Sequence, residues 1–108
     1  MKVSELVSRG PFEAVSLPTP DRDISGAYVG DLLSWVMGRA EADNAWITIM
    51  SNVNVIAVAT LADVSCVILA EGVRLDSEIT KMATEKGVNV LVSSLPIYET
   101  AIKLGGMI

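Results

Sequence analysis

The sequence predicts an α/β domain of two or three layers built on a mainly parallel sheet, and three observations carry that prediction. Runs at Trp46 to Met50, Val64 to Leu69 and Val88 to Val92 are apolar almost without interruption and rich in β-branched residues. That is the pattern of strands covered on both faces, as parallel strands are. Between these runs, and after the last, lie segments long enough for helices. Parallel neighbours cannot be joined by a tight turn, so each pair needs a crossover, and these segments are the chain available for it.

Taken in order, Val3 to Ser8 reads as a short helix and Phe12 to Leu17 as a strand. Pro18-Thr19-Pro20 forces an extended connection. Asp21 to Ala27 is a short polar turn, followed by Tyr28 and Val29. Asp31 then opens a helix whose Leu32, Leu33, Val36 and Met37 face the core, ending near Gly38. The segment Asn52 to Ala62 has strand propensity in its valines, yet the crossover requirement makes it a helix capped by Ser51 or Asn52. Asp76 caps a helix to Lys86 that buries Ile79, Met82 and Ala83, with Gly87 as its left-handed terminator. Pro96 starts the last helix, which buries Ile97, Ala101 and Leu104 and is stopped by Gly105-Gly106.

The chain has 108 residues, the size of one domain. With 51% hydrophobic and 19% charged residues it can bury a core. A net charge of −5 and the lack of a basic cluster exclude a phosphate-backbone binder, so nucleic acid is not an expected partner. Cys66 is the only cysteine, which rules out an intrachain disulfide scaffold. The N-terminal residues lack the apolar segment of a signal peptide. Ala45 to Ala62 carries no charge, but Ser51, Asn52 and Asn54 interrupt it and no basic flank frames it, so it reads as core rather than as a membrane span. A cytoplasmic domain is expected.

There is no histidine, which removes the common general base, the Ser-His and Cys-His pairs and the usual zinc sets. Neither nucleotide-binding glycine fingerprint occurs. Cys66, mid-strand, reads as a buried inert thiol. No catalytic residue, metal or cofactor is therefore expected. What remains is the rim at the carboxyl ends of the strands, where helix N-termini gather free N–H groups. Ser51, Asn52, Asn54, Glu71, Gly72, Ser93 and Ser94 fall there. Each is either a cap or loop residue, or part of a site for a small polar or anionic ligand to which Arg22 contributes. The Asp21-Arg22-Asp23 turn is open to the same two readings: a local ion pair, or a cation placed for a ligand or partner carboxylate.

The crossover helix raises a further expectation. Val53, Ile56, Ala57 and Leu61 make one apolar face, and Val55, Val58, Ala59 and Ala62 make a second. A small domain offers one interior face per helix. The second set is therefore expected to form a homodimer interface, unless Val3 to Leu17 folds over it.

The stretch from Asp21 to Met37, with Asp21, Arg22, Ser25 and Gly26 at its head, resembles the signature of the DRTGG domain, and Ala45 to Ile49 and Ala62 to Ile68 resemble its following elements. Asp23 and Ala27 depart from the motif. The resemblance implies a fold similar to the N-terminal domain of HPr kinase/phosphorylase, without the P-loop domain that carries that enzyme's catalysis. It also implies a dimer-forming regulatory module, and a protein partner of redox or hydrogenase context. The expected function is a non-catalytic regulatory domain acting through homodimerisation and protein contacts; the alternative is a sensor of a nucleotide or other anion at the rim.

Overall fold

A computed structural model describes residues 1–108. The elements run α1 (Val3–Arg9), β1 (Glu13–Ser16), β2 (Gly26–Val29), α2 (Leu33–Arg39), β3 (Asn44–Thr48), α3 (Val53–Ala62), β4 (Cys66–Leu69), α4 (Ser77–Glu85), β5 (Val90–Val92) and α5 (Ile97–Met107). The strands form one sheet in the order β1-β5-β4-β3-β2. β2, β3, β4 and β5 are parallel, and β1 closes one edge antiparallel to β5. Every residue of β3, β4 and β5 is buried. That is why those runs show no polar alternation in sequence.

Because side chains alternate across a strand, the sheet feeds two cores. Trp46, Val67, Leu69, Val90 and Val92 point to one face, where α2, α3 and α4 cover them with Val36, Val55, Ile56, Val58, Ala59 and Ala83. Ala45, Ile47, Cys66, Ile68 and Leu91 point to the other, against Val3 and Leu6 of α1 and Leu104 of α5. The domain is thus three-layered, with three helices on one face and two on the other.

The crossover between β3 and β4 is helical, as the topology required, and Asn52 caps it by accepting from the N–H of Asn54 at 2.9 Å. Asp76 likewise caps α4 through the N–H of Ile79 at 2.8 Å. Gly87, at φ 74°, turns the chain out of α4, and the N–H of Val88 closes on the carbonyl of Ala83 at 2.8 Å.

Four expectations are corrected. The buried face of α3 is not the expected one: of the set expected inside, only Ile56 is in the core. Val55, Val58 and Ala59 join it at 0%, 5% and 2% exposure, and Ala62 is half-buried against it, so these four do not form a free dimer surface. Val53, Ala57 and Leu61 are the exposed set. Both faces are apolar, so composition could not decide which one the sheet would take. Leu32 and Met37 are exposed instead of core-facing, because α2 begins at Leu33 and turns only Val36 fully inward. Residues Gly26 to Val29 are a strand rather than the tail of a turn; four small or mixed residues carry no period, and only pairing with β3 makes them a strand. Finally, α5 runs through Gly105-Gly106 to Met107, since Met107 packs on the core that α1 and α5 cover and holds the last turn.

Candidate functional site

At the carboxyl rim the polar side chains are committed locally. Asn52 is an α3 cap, and Asn54 is an exposed first-turn residue. Ser51 is half-buried in the β3–α3 connection. Ser93 is buried; its hydroxyl lies 2.8 Å from that of Thr100 and accepts from the N–H of Leu95 at 3.2 Å. Ser94 is exposed. The Ser51–Asn54 and Ser93–Ser94 groups follow β3 and β5, and β4 lies between these strands. At about 4.8 Å per strand the two groups stand about 10 Å apart and do not converge on one small ligand.

Other rim residues do more than the sequence suggested. Asp31 is not a helix cap. One of its oxygens accepts from the hydroxyl of Thr48 at 2.7 Å and the N–H of Ile49 at 3.0 Å, tying the β2–α2 connection to the end of β3. Glu71 sits in left-handed backbone at φ 61° and caps α5 through the N–H of Ile97 at 2.7 Å. The helix N-terminus that would attract an anion is thereby filled by the chain's own carboxylate. One cation does reach the rim. Arg74, paired with Glu13, borders a cleft of about 200 Å³ with Pro11, Gly72, Val92, Ser93 and Ser94.

Arg22 lies at the other end of the sheet. It bonds Asp43 at 2.5 Å, the carboxylate of Asp63 at 3.1 Å and the carbonyl of Asp63 at 2.9 Å. Asp43 directly precedes β3, and Asp63 follows α3 on the way to β4, so this cluster marks the amino ends of the parallel strands. Both aspartates are left-handed, at φ 68° and 56°, a conformation that aspartate tolerates better than most residues. Partial burial pulls the guanidinium's pKa down. The hydrogen bond that the guanidinium donates to Asp43 and the charge of Asp63 outweigh this, and the net shift is upward. Arg22 is therefore a permanent clamp between two strand starts, and the expectation that it joins a ligand with Ser51, Asn52 or Ser93 is overturned by its position. Ser25 adds to the same junction by donating to the carbonyl of Ala42 at 3.1 Å, and Gly26 begins β2 beside Asn44. Asp43 and Asp63 were missed in sequence; a lone aspartate just ahead of an apolar run was the available signal.

Cys66 is fully buried, and that burial pushes its thiol up to about 12 against the opposing effects of Ser65 and Arg22. It is no nucleophile at neutral pH. No group of three His, Cys, Asp or Glu side chains comes together, and no helix is long and apolar enough to cross a membrane.

A family model for the DRTGG domain matches residues 29–107. The chain belongs to the DRTGG domain family. The matched segment of this DRTGG domain begins at Val29, so it takes in the later part of the stretch read as the signature, to Met37, but not Asp21, Arg22, Ser25 and Gly26. Among solved structures, the domain is similar to the CBS and DRTGG domains of the regulatory region of Clostridium perfringens pyrophosphatase, complexed with its activator diadenosine tetraphosphate. The TM-score is 0.72 at 13% identity, over 94% of this chain and 44% of that one. The likeness is one of fold, and the chain spans less than half the length of that neighbour. Comparison with curated proteins finds no match.

Proposed function

We propose that this DRTGG domain is a non-catalytic regulatory module of the cytoplasm that works through homodimerisation and contact with a protein partner. The observation that carries the reading is the difference between the two edges of its sheet. The β1 edge is guarded by the Glu13–Arg74 ion pair and an irregular register between Ala14 and Ser16. Such features discourage pairing with another chain. The β2 edge, Gly26-Ala27-Tyr28-Val29, has no charge and no proline and pairs in regular register with β3 alone. Val29 at its end, and Leu32, Trp35 and Met37 in the chain that follows, are each about half exposed. An uncharged edge strand with its outer backbone groups unpaired favours contact with another chain. The membership of a DRTGG domain in the neighbour's regulatory region supports the same role.

Sedimentation velocity over a wide concentration range tests the dimer: a monomer at every concentration removes it. Val29→Lys, which charges the open edge, should leave the fold intact and abolish partner binding.

A second reading is supported by the cleft at Arg74. The neighbour's regulatory region is complexed with a dinucleotide activator, and here one arginine, Ser94 and the Gly72 backbone face a common space at the rim. A ligand bound there raises the melting temperature by linkage. Diadenosine polyphosphates should then stabilise the wild type and not Arg74→Ala. No shift with any nucleotide would dismiss the sensor and leave the interaction module.

A further inference from the structure

Helix α5 carries Gly105 and Gly106 inside its last turns. Glycine in a helix costs up to about 1 kcal/mol against alanine, so its use there calls for a reason. Nothing in this chain supplies one: a methyl group added at either position meets no atom within 4 Å. Both glycines are exposed, on the side of α5 facing away from buried Thr100 and Leu104. The same side presents Tyr98 at 70% exposure and Ile102 at 52%. Positions 98, 102, 105 and 106 share one stripe, spaced i, i+4, i+7 and i+8. Glu99 and Lys103 flank it, exposed, and neither joins an ion pair within the chain.

We propose that this stripe is a self-complementary surface on which a second copy packs its own α5 antiparallel, about a two-fold axis through Ile102. It rests on the homodimer reading and gives that dimer its surface. Each residue lies about 1.5 Å further along a helix. With Ile102 against Ile102, Tyr98 stands four residues away, level with Gly106 of the other copy and next to its Gly105. The largest exposed side chain of α5 thus meets the two positions without one, and the recess they leave lets the helices approach closely. Glu99 falls about 3 Å along the axis from Lys103 of the other copy, on the same side of the stripe. A parallel pair, with its two-fold axis along the helices, would put the charged flanks of the two copies on opposite sides of the stripe and form no Glu99–Lys103 pair, so the charges favour the antiparallel one. They also disfavour an anionic membrane surface as the occupant, since a net charge of −5 would be repelled from it.

Sedimentation equilibrium of the full chain, with thermal melts of dilute samples alongside, tests the surface. Tyr98→Ala should weaken the dimer about tenfold or more, the loss expected of a central aromatic anchor. Gly105→Leu should also weaken it about tenfold while leaving the dilute melting temperature equal or higher, because leucine is the better helix former. Lys103→Glu should weaken it, and Glu99→Lys combined with Lys103→Glu should restore it. A dimeric wild type whose variants all remain within about twofold of it overturns the α5 surface and leaves self-association standing. A wild type that is monomeric throughout overturns self-association itself, and this surface with it.

Discussion

Replacing Arg22 with alanine removes a cation that holds two strand starts together. Its guanidinium makes three hydrogen bonds, to the carboxylates of Asp43 and Asp63 and to the carbonyl of Asp63. The arginine side chain is 25% exposed, but the aspartates are 48% and 67% exposed. The two ion pairs therefore fall on the surface scale, about 0–1 kcal/mol each. The carbonyl bond adds about 1 kcal/mol. The sum is about 2 kcal/mol. A chain of this length unfolds with an entropy near 0.2 kcal/mol/K, at about 2.1 cal/mol/K per residue, so the midpoint should fall by about 9 °C. Calorimetry at moderate salt measures it, and a double-mutant cycle with Asp43→Ala should return a coupling of about 0.5–1 kcal/mol. If Arg22→Ala melts within about 2 °C of the wild type, the clamp is ornamental and the structural account of Arg22 is wrong. A variant that keeps its stability but loses a ligand response would refute the clamp equally.

The remaining expectations concern burial and titration. Val58→Asp places a charge in the core between the sheet and α2, α3 and α4 and should unfold the domain, whereas Leu61→Asp, at a 70% exposed position, should change stability by no more than about 0.5 kcal/mol; circular dichroism separates the two. Asp31→Ala should cost about 1–2 kcal/mol by orphaning the Thr48 hydroxyl and the Ile49 N–H, read from a urea midpoint with unchanged slope. Cys66 should resist thiol reagents at pH 8 in the native state and react on denaturation. Its folded pKa is raised from 9.0 to about 12. Its contribution is therefore complete below pH 9 and is lost as pH climbs toward 12. The unfolded chain has given up the proton there while the folded chain still holds it. Cys66→Ala should lack that part of the alkaline decline, on the order of 1.4 kcal/mol per pH unit in that window.

Much of the fold was legible because it follows from local chemistry. The continuous apolarity of Ile47 and Ile68 with their neighbours declared strands covered on both faces. Asn52, Asp76 and Gly87 marked helix ends by the same hydrogen bonds and positive φ that the structure contains. Parallel pairing then forced α3 to be a helix against the β propensity of its valines. The strand expected at Phe12 to Leu17 and the short N-terminal helix are present as well, although fewer local signals marked them. The candidate site was less so. Rim serines and asparagines were correctly placed after the strands, yet Ser93 proved to be bonded to Thr100 and Asn52 to its own helix.

The sequence by itself determined the class: an α/β layer structure with a mainly parallel sheet, no histidine-based chemistry, and a thiol hidden in a strand. These depend on residue type and on spacing along the chain, which no folding event alters. Only the tertiary structure decided which apolar face of α3 meets the sheet, that Gly26 to Val29 is an open edge, and that Arg22 lies opposite the rim, bound to Asp43 and Asp63. Contacts between residues 21 and 41 positions apart set the last of these. When both faces of a helix are apolar, the hydrophobic effect favours burying either one. The choice falls to the packing of every other element at once.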